Sequence, residues 1–284
     1  MPYFFDRIAR VEIGTKSSVY GLVVNTPLRI AFEINKNALD VTNSMTLTIN
    51  NLKDESRNQI RYIPKKPQQI NVFAGYRDQG EPSLIFAGEI TRVTHDLAKN
   101  EVETKIIAMD GHSAVHGSKI SVAFKKGKPI NTIINHAIAA IGLPINFDPS
   151  ILPATPTKGT YSHTGKAWTW LVKLCNENDL HCSIQNGSIK IFKSEGVDNV
   201  GPLQSVIIGS PRKLEENPYA PSLTEFSGYE IEARLMSKAE PGSLVEFTSR
   251  DVTKKTRLQV KEVHHEGDSH GEKWTTTLKG KEIV

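Results

Sequence analysis

The sequence predicts a mainly β protein with an α+β insertion: β-barrel or sandwich domains at both ends of the chain, flanking a middle segment of two small helix-plus-hairpin units. Three observations carry this. Near the C-terminal end Tyr229, Ile231, Ala233 and Leu235 alternate with Glu230, Glu232 and Arg234, the period-two mark of a strand with one apolar and one charged face. The pattern recurs near the other end, where Leu28, Ile30, Phe32 and Ile34 alternate with Arg29, Ala31 and Glu33, and again over Met45–Ile49. Between them Ile130, Ile133, Ile134, Ala137, Ile138 and Ile141 fall at helical spacing. The expected domains are 1–115, 116–199 and 200–284.

In the first domain, turn residues separate candidate strands at Ile8–Ile13, Val19–Val24, Leu28–Ile34, Met45–Asn50, Ile70–Tyr76, Leu84–Thr94 and Val102–Met109. Leu84–Thr94 mixes phases around Gly88, which predicts a bend that lets one long strand serve two neighbours. A short helix interrupts at Asn51–Ile60, with Asn51 as cap, Asp54 and Glu55 at the end that favours acids, and Pro64 as stop. Strands at this spacing argue a barrel or sandwich rather than a helix-crossed parallel sheet.

The middle segment opens with a helix over Lys128–Ile141, with Pro129 in its first turn and Gly142 at its C-terminal cap, and then a short strand at Leu143–Phe147. A second helix, Lys166–Asn178, turns Ala167, Trp170, Leu171, Leu174 and Cys175 to one face. It leads to Leu180–Ile184 and Ser188–Phe192, joined through Gln185-Asn186-Gly187, the strongest hairpin signal in the chain. Aligning the two helices gives a helix-then-strands unit repeated over 118–195. Four prolines make 200–221 a linker in which only Val206–Ile208 can pair. The closing strands are Tyr229–Met236, Leu244–Thr248, Arg257–His265 and Trp274–Lys279, with turns at Pro241-Gly242 and at Gly267–Gly271.

Composition excludes more than it selects. With 35 basic and 31 acidic residues among 284, the net charge of +4 gives no broad nucleic-acid footprint; Pro64-Lys-Lys-Pro67 and Lys125-Lys126-Gly-Lys128 read as solvated turns. Two cysteines, Cys175 and Cys182, rule out a disulfide scaffold and are too far apart for a redox pair. The N-terminus lacks a signal-peptide pattern and no apolar run reaches the roughly 18 residues of a membrane span, so no membrane anchoring is expected.

Residues 264–270 hold the only dense group of ligand-type side chains, His264, His265, Glu266, Asp268 and His270. Adjacent histidines on a strand face opposite ways and no helical i, i+4 pair is present, which argues against a metal. Pairs such as Glu101 with Glu103 share a charged face rather than a cleft. No nucleophile, phosphate-loop or dinucleotide motif occurs, so no catalytic, cofactor or metal residue is assigned.

The closing segment reads Ala-Arg-Leu from Ala233, Pro241-Gly-x-x-Val-x-Phe247, then Leu258-x-Val-x-x-Val-His-His-x-Gly-Asp-x-x-Gly-x-x-Trp-x-Thr276. It resembles the C-terminal signature of baseplate hub proteins of contractile-tailed, myovirus-type bacteriophages. Met45–Leu52, the acidic-capped helix and Leu84–Ile90 are similar to the opening domain of those hubs. The resemblance spans nearly the whole chain and implies two tube-like β-domains per subunit. Three copies then form a ring that adapts a sixfold tail tube to a threefold central spike and nucleates the tube. It also implies the partners: further copies of itself, spike and tube proteins, and tape measure and wedge proteins, with DNA only as passing cargo. The location implied is the virion tail baseplate, assembled in the host cytoplasm. No lysozyme or peptidase segment is appended, so a non-enzymatic role is expected. Half-apolar β-blocks leave edge strands that ring closure can pair. On that ground Leu28, Ile30, Phe32, Ile34, Tyr229, Ile231, Ala233 and Leu235 are expected near subunit contacts, and Glu230, Glu232 and Arg234 facing a lumen. The alternatives are a tail-associated peptidoglycan hydrolase on a β-scaffold and an OB-like nucleic-acid-binding barrel, for which only Phe124 beside Lys125-Lys126 offers the needed combination.

Overall fold

In the computed structural model, which describes residues 6–14, 21–38, 42–61, 67–98, 101–193, 204–207, 212–214, 228–248 and 255–283, strands dominate both ends of the chain. The first block contains β1 (Arg7–Gly14), β2 (Leu22–Asn25), β3 (Ile30–Asn37), β4 (Ser44–Asn50), α1 (Asp54–Gln59), β5 (Gln69–Tyr76), β6 (Ser83–Ala98) and β7 (Glu101–Met109). The middle contains α2 (His112–Gly117), β8 (Lys119–Phe124), α3 (Ile130–Ile141), β9 (Tyr161–Lys166), α4 (Ala167–Asn176), β10 (Leu180–Gln185) and β11 (Ser188–Lys193). The closing strands are β12 (Gln204–Ile207), β13 (Arg212–Leu214), β14 (Gly228–Arg234), β15 (Leu244–Thr248), β16 (Thr256–Asp268) and β17 (Trp274–Ile283).

The two end blocks share one 13-stranded sheet in the order β13-β14-β17-β16-β3-β4-β7-β6-β5-β1-β2, with β15 on β16 and β12 on β15. Among the described residues neither block closes a barrel. The link is β16, a strand long enough to serve two partners along one edge: Thr256–Gln259 pair with β15, and Glu262–Asp268 pair with β3. The long strand predicted around Gly88 behaves in the same way. Its first half pairs with β5 and its second with β7. A Cβ at Gly88 would stand 2.7 Å from the Phe86 ring and 2.9 Å from the Met109 carbonyl oxygen, so only glycine lets the strand pass this point.

Three apolar clusters form. The first gathers the inward residues of β1 to β7, among them Val11, Ile30, Phe32, Leu47, Val72 and Ile106, and includes Leu235 and Trp274 from the closing block. Strands this far apart in the ladder can share one cluster only if the sheet curls over its apolar face. The side chain of Arg7 on β1 accordingly donates to the carbonyls of Asp268, Gly271 and Glu272 in the β16–β17 loop. The second cluster belongs to the middle segment, where Ile133, Ile134, Leu171, Leu174, Ile189 and Ile191 pack α3 and α4 on the β10–β11 hairpin. The third lies under the closing strands, around Val245, Phe247, Leu258 and Leu278.

Several expectations change on this evidence. Asn51 does not cap α1: Lys53 takes the N-cap position, and Asn51 sits at φ 57° with its Oδ1 accepting the Val102 N–H. Leu143–Phe147 forms no strand, only a single parallel bridge from Ile145 to Ile189. The middle therefore holds one helix-plus-hairpin, α4 with β10–β11, rather than two. The recurring order is strand then helix, β8–α3 and β9–α4, with β8 and β9 paired to each other. Predicted residues Val19, Tyr20 and Pro64 lie outside the described residues, as does most of the 200–221 linker. Within that linker 204–207 and 212–214 are strands.

Candidate functional site

The feature the fold builds most extensively is a polar sheet face. Side chains of directly opposed residues share a face, so the registers give its rows. One row runs Glu230, Lys279, Glu262 across β14, β17 and β16. The next runs Glu232, Thr277, His264, Asn35, Ser44 and reaches β4. A third runs Arg234, Thr275, Glu266, Glu33, Thr46, Ile107, Arg92 and reaches β6. Beyond it Thr48, Lys105 and Thr94 align, then Asn50, Glu103 and Asp96. Glu33, Asn35, Arg92, Lys105, Glu232 and Arg234 are exposed. The alternate positions on these strands feed the cores.

The three residues expected to face a lumen, Glu230, Glu232 and Arg234, lie together on this face. Lys279 Nζ stands 3.2 Å from Glu262 and 4.0 Å from Glu230, and Lys273 Nζ 2.9 Å from Glu266. These pairs are half-exposed and contribute little to stability. What the sequence did not reveal is the extent of the face. Its continuation through β17, β16, β3 and β4 depends on the β3–β16 pairing, which no local pattern announces.

Within the single chain the residues expected near subunit contacts take part in its own cores. Ile30, Phe32 and Ile34 are buried in the first cluster with Leu28 packed against it, and β3 is hydrogen-bonded on both sides, to β4 and β16. Ile231 is buried in the third cluster, Tyr229 and Ala233 pack against it, and Leu235 belongs to the first. β14 pairs with β17 along its length, but β13 covers only Gly228–Glu230 of its other edge. Among the described residues the edge at Ile231–Ala233 has no ladder partner, and neither has the outer edge of β2.

The ligand-type cluster at 264–270 disperses. His265 is buried with Nδ1 2.8 Å from Thr276 Oγ1, and His264 on the opposite face has Nδ1 2.7 Å from Asn35 Oδ1. Asp268 pairs with Arg29 at 2.8 Å and accepts the His270 N–H. Among the described residues no group of three or more His, Cys, Asp or Glu could hold a metal. Cys175 and Cys182 are both buried and neither forms a disulfide. Phe124 lies beside the Trp170 and His136 rings, half-buried against the second cluster. No helix among the described residues is long and apolar enough to cross a membrane.

A second polar assembly lies inside, where the middle segment meets the sheet. Asp110 is 1% exposed, and burial pushes its carboxyl up to about 6 although Oδ1 accepts the Gly187 N–H at 2.8 Å and Lys36 attracts its charge. Oδ2 has no hydrogen-bond partner among the described residues. A carboxyl raised from 3.8 to about 6 favours the fold below pH 3.8 and loses that contribution as pH rises through 6. Asp110→Asn is therefore expected to gain about 1–3 kcal/mol over the native chain at pH 7.5 and nothing near pH 4. Chemical denaturation at both pH values checks this. His181, held by burial and Lys261 down to about 4, and His265, held well below its usual range by burial, act oppositely. They remove stability below pH 6.5 in both proteins alike, so the difference between the two isolates Asp110.

With this geometry in hand the chain can be placed among known folds. The fold is similar to those of solved tail proteins. It superimposes on a tail protein from Neisseria meningitidis MC58 with a TM-score of 0.61 at 12% identity, covering 96% of each chain. The prophage MuSo2 43 kDa tail protein from Shewanella oneidensis matches at 0.62 and 9% identity, covering 97% of this chain and 96% of that one. An Escherichia coli component of the type VI secretion system, itself structurally similar to bacteriophage T4 tail proteins, matches at 0.61 and 10% identity, covering 96% and 77%. No family model and no curated protein matches the sequence.

Proposed function

We propose that this chain is a baseplate hub of a contractile phage tail or of a related injection machine: a non-enzymatic ring protein seated between the sixfold tail tube and the threefold central spike. The observation that carries the reading is end-to-end likeness to solved tail proteins, about the same 96–97% of both chains in two cases, combined with two separately cored β-blocks on one sheet. Three copies of a chain with two such blocks offer six units to the tube and three to the spike. Fold likeness at this identity supports the role by analogy, and the sheet supplies the physics.

The rows through Glu230, Glu232 and Arg234 line the channel in this reading. Named carboxylates on the face (Glu33, Asp96, Glu103, Glu230, Glu232, Glu262 and Glu266) outnumber its cations Arg92, Lys105, Arg234, Lys273 and Lys279, which disfavours the phosphate contacts that would hold DNA in passage. Contacts between copies fall at the edges that carry no ladder partner among the described residues, Ile231–Ala233 of β14 and the outer side of β2. The inward faces of β3 and β14 serve the chain's own cores. Partners are further copies, the spike and tube proteins, and tape measure and wedge proteins, with the protein located in the virion tail after assembly in the host cytoplasm.

Sedimentation equilibrium tests the reading. A species three times the 31.5 kDa chain mass is expected, alone or with spike protein; a monomer at all concentrations with spike and tube present contradicts it. Incubation with purified cell walls is expected to release nothing, and release of soluble fragments would favour a hydrolase.

A further inference from the structure

The middle segment has its own apolar core, and what ties it to the sheet around the β10–β11 turn is polar. Gln185, Asn186 and Gly187 enter where the two β-blocks meet. Asn186 and Gly187 take positive φ, 52° and 80°, the two-residue turn their types favour. The Asn186 side chain then reaches both blocks. Its Oδ1 accepts from the Ala87 backbone N–H at 3.2 Å and from Lys36 Nζ at 3.4 Å, while its Nδ2 donates to Glu240 Oε1 at 2.9 Å. Around it Gln185 Nε2 donates to the Asn37 carbonyl at 3.1 Å, and Asn43 Nδ2 donates to the Ile184 carbonyl at 2.7 Å and to Gln185 Oε1 at 2.9 Å. Glu240 Oε2 lies 3.3 Å from Lys190 Nζ, so the carboxylate bridges turn and hairpin. Lys36, Asn43, Gln185 and Lys190 are each 5% exposed or less, so water has little access to their ends of these bonds, while Asn186 and Glu240 are half-buried.

We propose that Asn186 is a positioning residue, a keystone whose one side chain fixes the orientation of the middle unit against both β-blocks and so sets the surface that unit presents to baseplate partners. A buried polar network specifies one arrangement because every alternative leaves a donor or acceptor unpaired. An apolar contact would tolerate sliding. The clause about partners rests on the hub reading; the orientation does not.

The test uses the full chain with nitroxide labels at Lys173→Cys on α4 and Arg77→Cys after β5, both exposed while the native cysteines are buried. Labelled protein is diluted into unlabelled so that pulsed dipolar spectroscopy reads distances within one chain. The parent is expected to give one narrow distribution. Asn186→Gly, which keeps the positive-φ turn but removes the side chain, is expected to broaden it at least twofold, with hydrogen-exchange protection inside α3, α4 and the sheet unchanged. Glu240→Ala is expected to do the same, and Glu240→Gln, which retains the acceptor, to stay narrow. A narrow distribution in Asn186→Gly overturns the proposal. So does protection lost within α3 and α4, which would make the residue a folding element rather than a positioning one. Ring formation by the parent is read separately by mass, so failure of the hub reading leaves this result standing.

Discussion

Phe32→Ala is expected to cost about 3–5 kcal/mol, more than any exposed-face substitution. Phe32 is 3% exposed, meets the Trp274 ring edge-on at 5.3 Å, and stands beneath Gly267. It sits on β3 while Trp274 and Gly267 come from β17 and β16, so its ring packs across the junction that makes one sheet of two blocks. Urea unfolding should show the loss, and Trp274 emission should shift to the red. Gly267→Ala approaches the same spot from the other side, since its Cβ would come within 2.3 Å of the Phe32 ring. That overpacking alone costs about 1–3 kcal/mol. Combined with Phe32→Ala the two penalties should not add, because the small side chain makes room for the methyl.

Leu171→Ala is the second large effect, about 2–5 kcal/mol, and its distribution matters as much as its size. Leu171 is fully buried in the middle cluster, which shares no residue with the clusters under the sheet. The loss should fall on residues 112–193. Hydrogen exchange should quicken through α3, α4 and the β10–β11 hairpin while β3, β4 and β16 keep their protection. Uniform quickening across the sheet would mean that the middle segment and the β-blocks unfold as one unit.

How far the sequence led can be judged from particular strands. Alternation at Leu28–Ile34, Met45–Ile49 and Tyr229–Leu235 reports which residues turn to a core: Ile30, Phe32, Ile34, Met45, Leu47, Ile49, Ile231 and Leu235 are buried, while Leu28, Tyr229 and Ala233 are half-buried. Asn186-Gly187 and Gly88 carry backbone information in their own chemistry, so the hairpin and the shared long strand were legible. Partnership was not. A ladder is built from backbone groups that every residue shares, so nothing in Leu28–Ile34 says that its neighbour is Glu262–Asp268, more than two hundred residues later. For that reason the place of β3 between β4 and β16 was not legible. The same blindness hid the pairing of β8 with β9 and made a strand of Leu143–Phe147. For the candidate face, Glu230, Glu232 and Arg234 were readable as one charged stripe, but its width is a property of register. The buried polar junction at Asn186 left no local sign beyond the turn itself.

Electron cryo-microscopy of the assembled particle, with this chain in place, measures the central claim most directly. The account predicts a threefold ring with two β-blocks per copy at near-sixfold positions, and Glu33, Glu232 and Glu266 on the wall of the channel. A ring in which that face lies on the outside or is buried against a neighbouring subunit, or a particle holding the chain as a monomer, would contradict it.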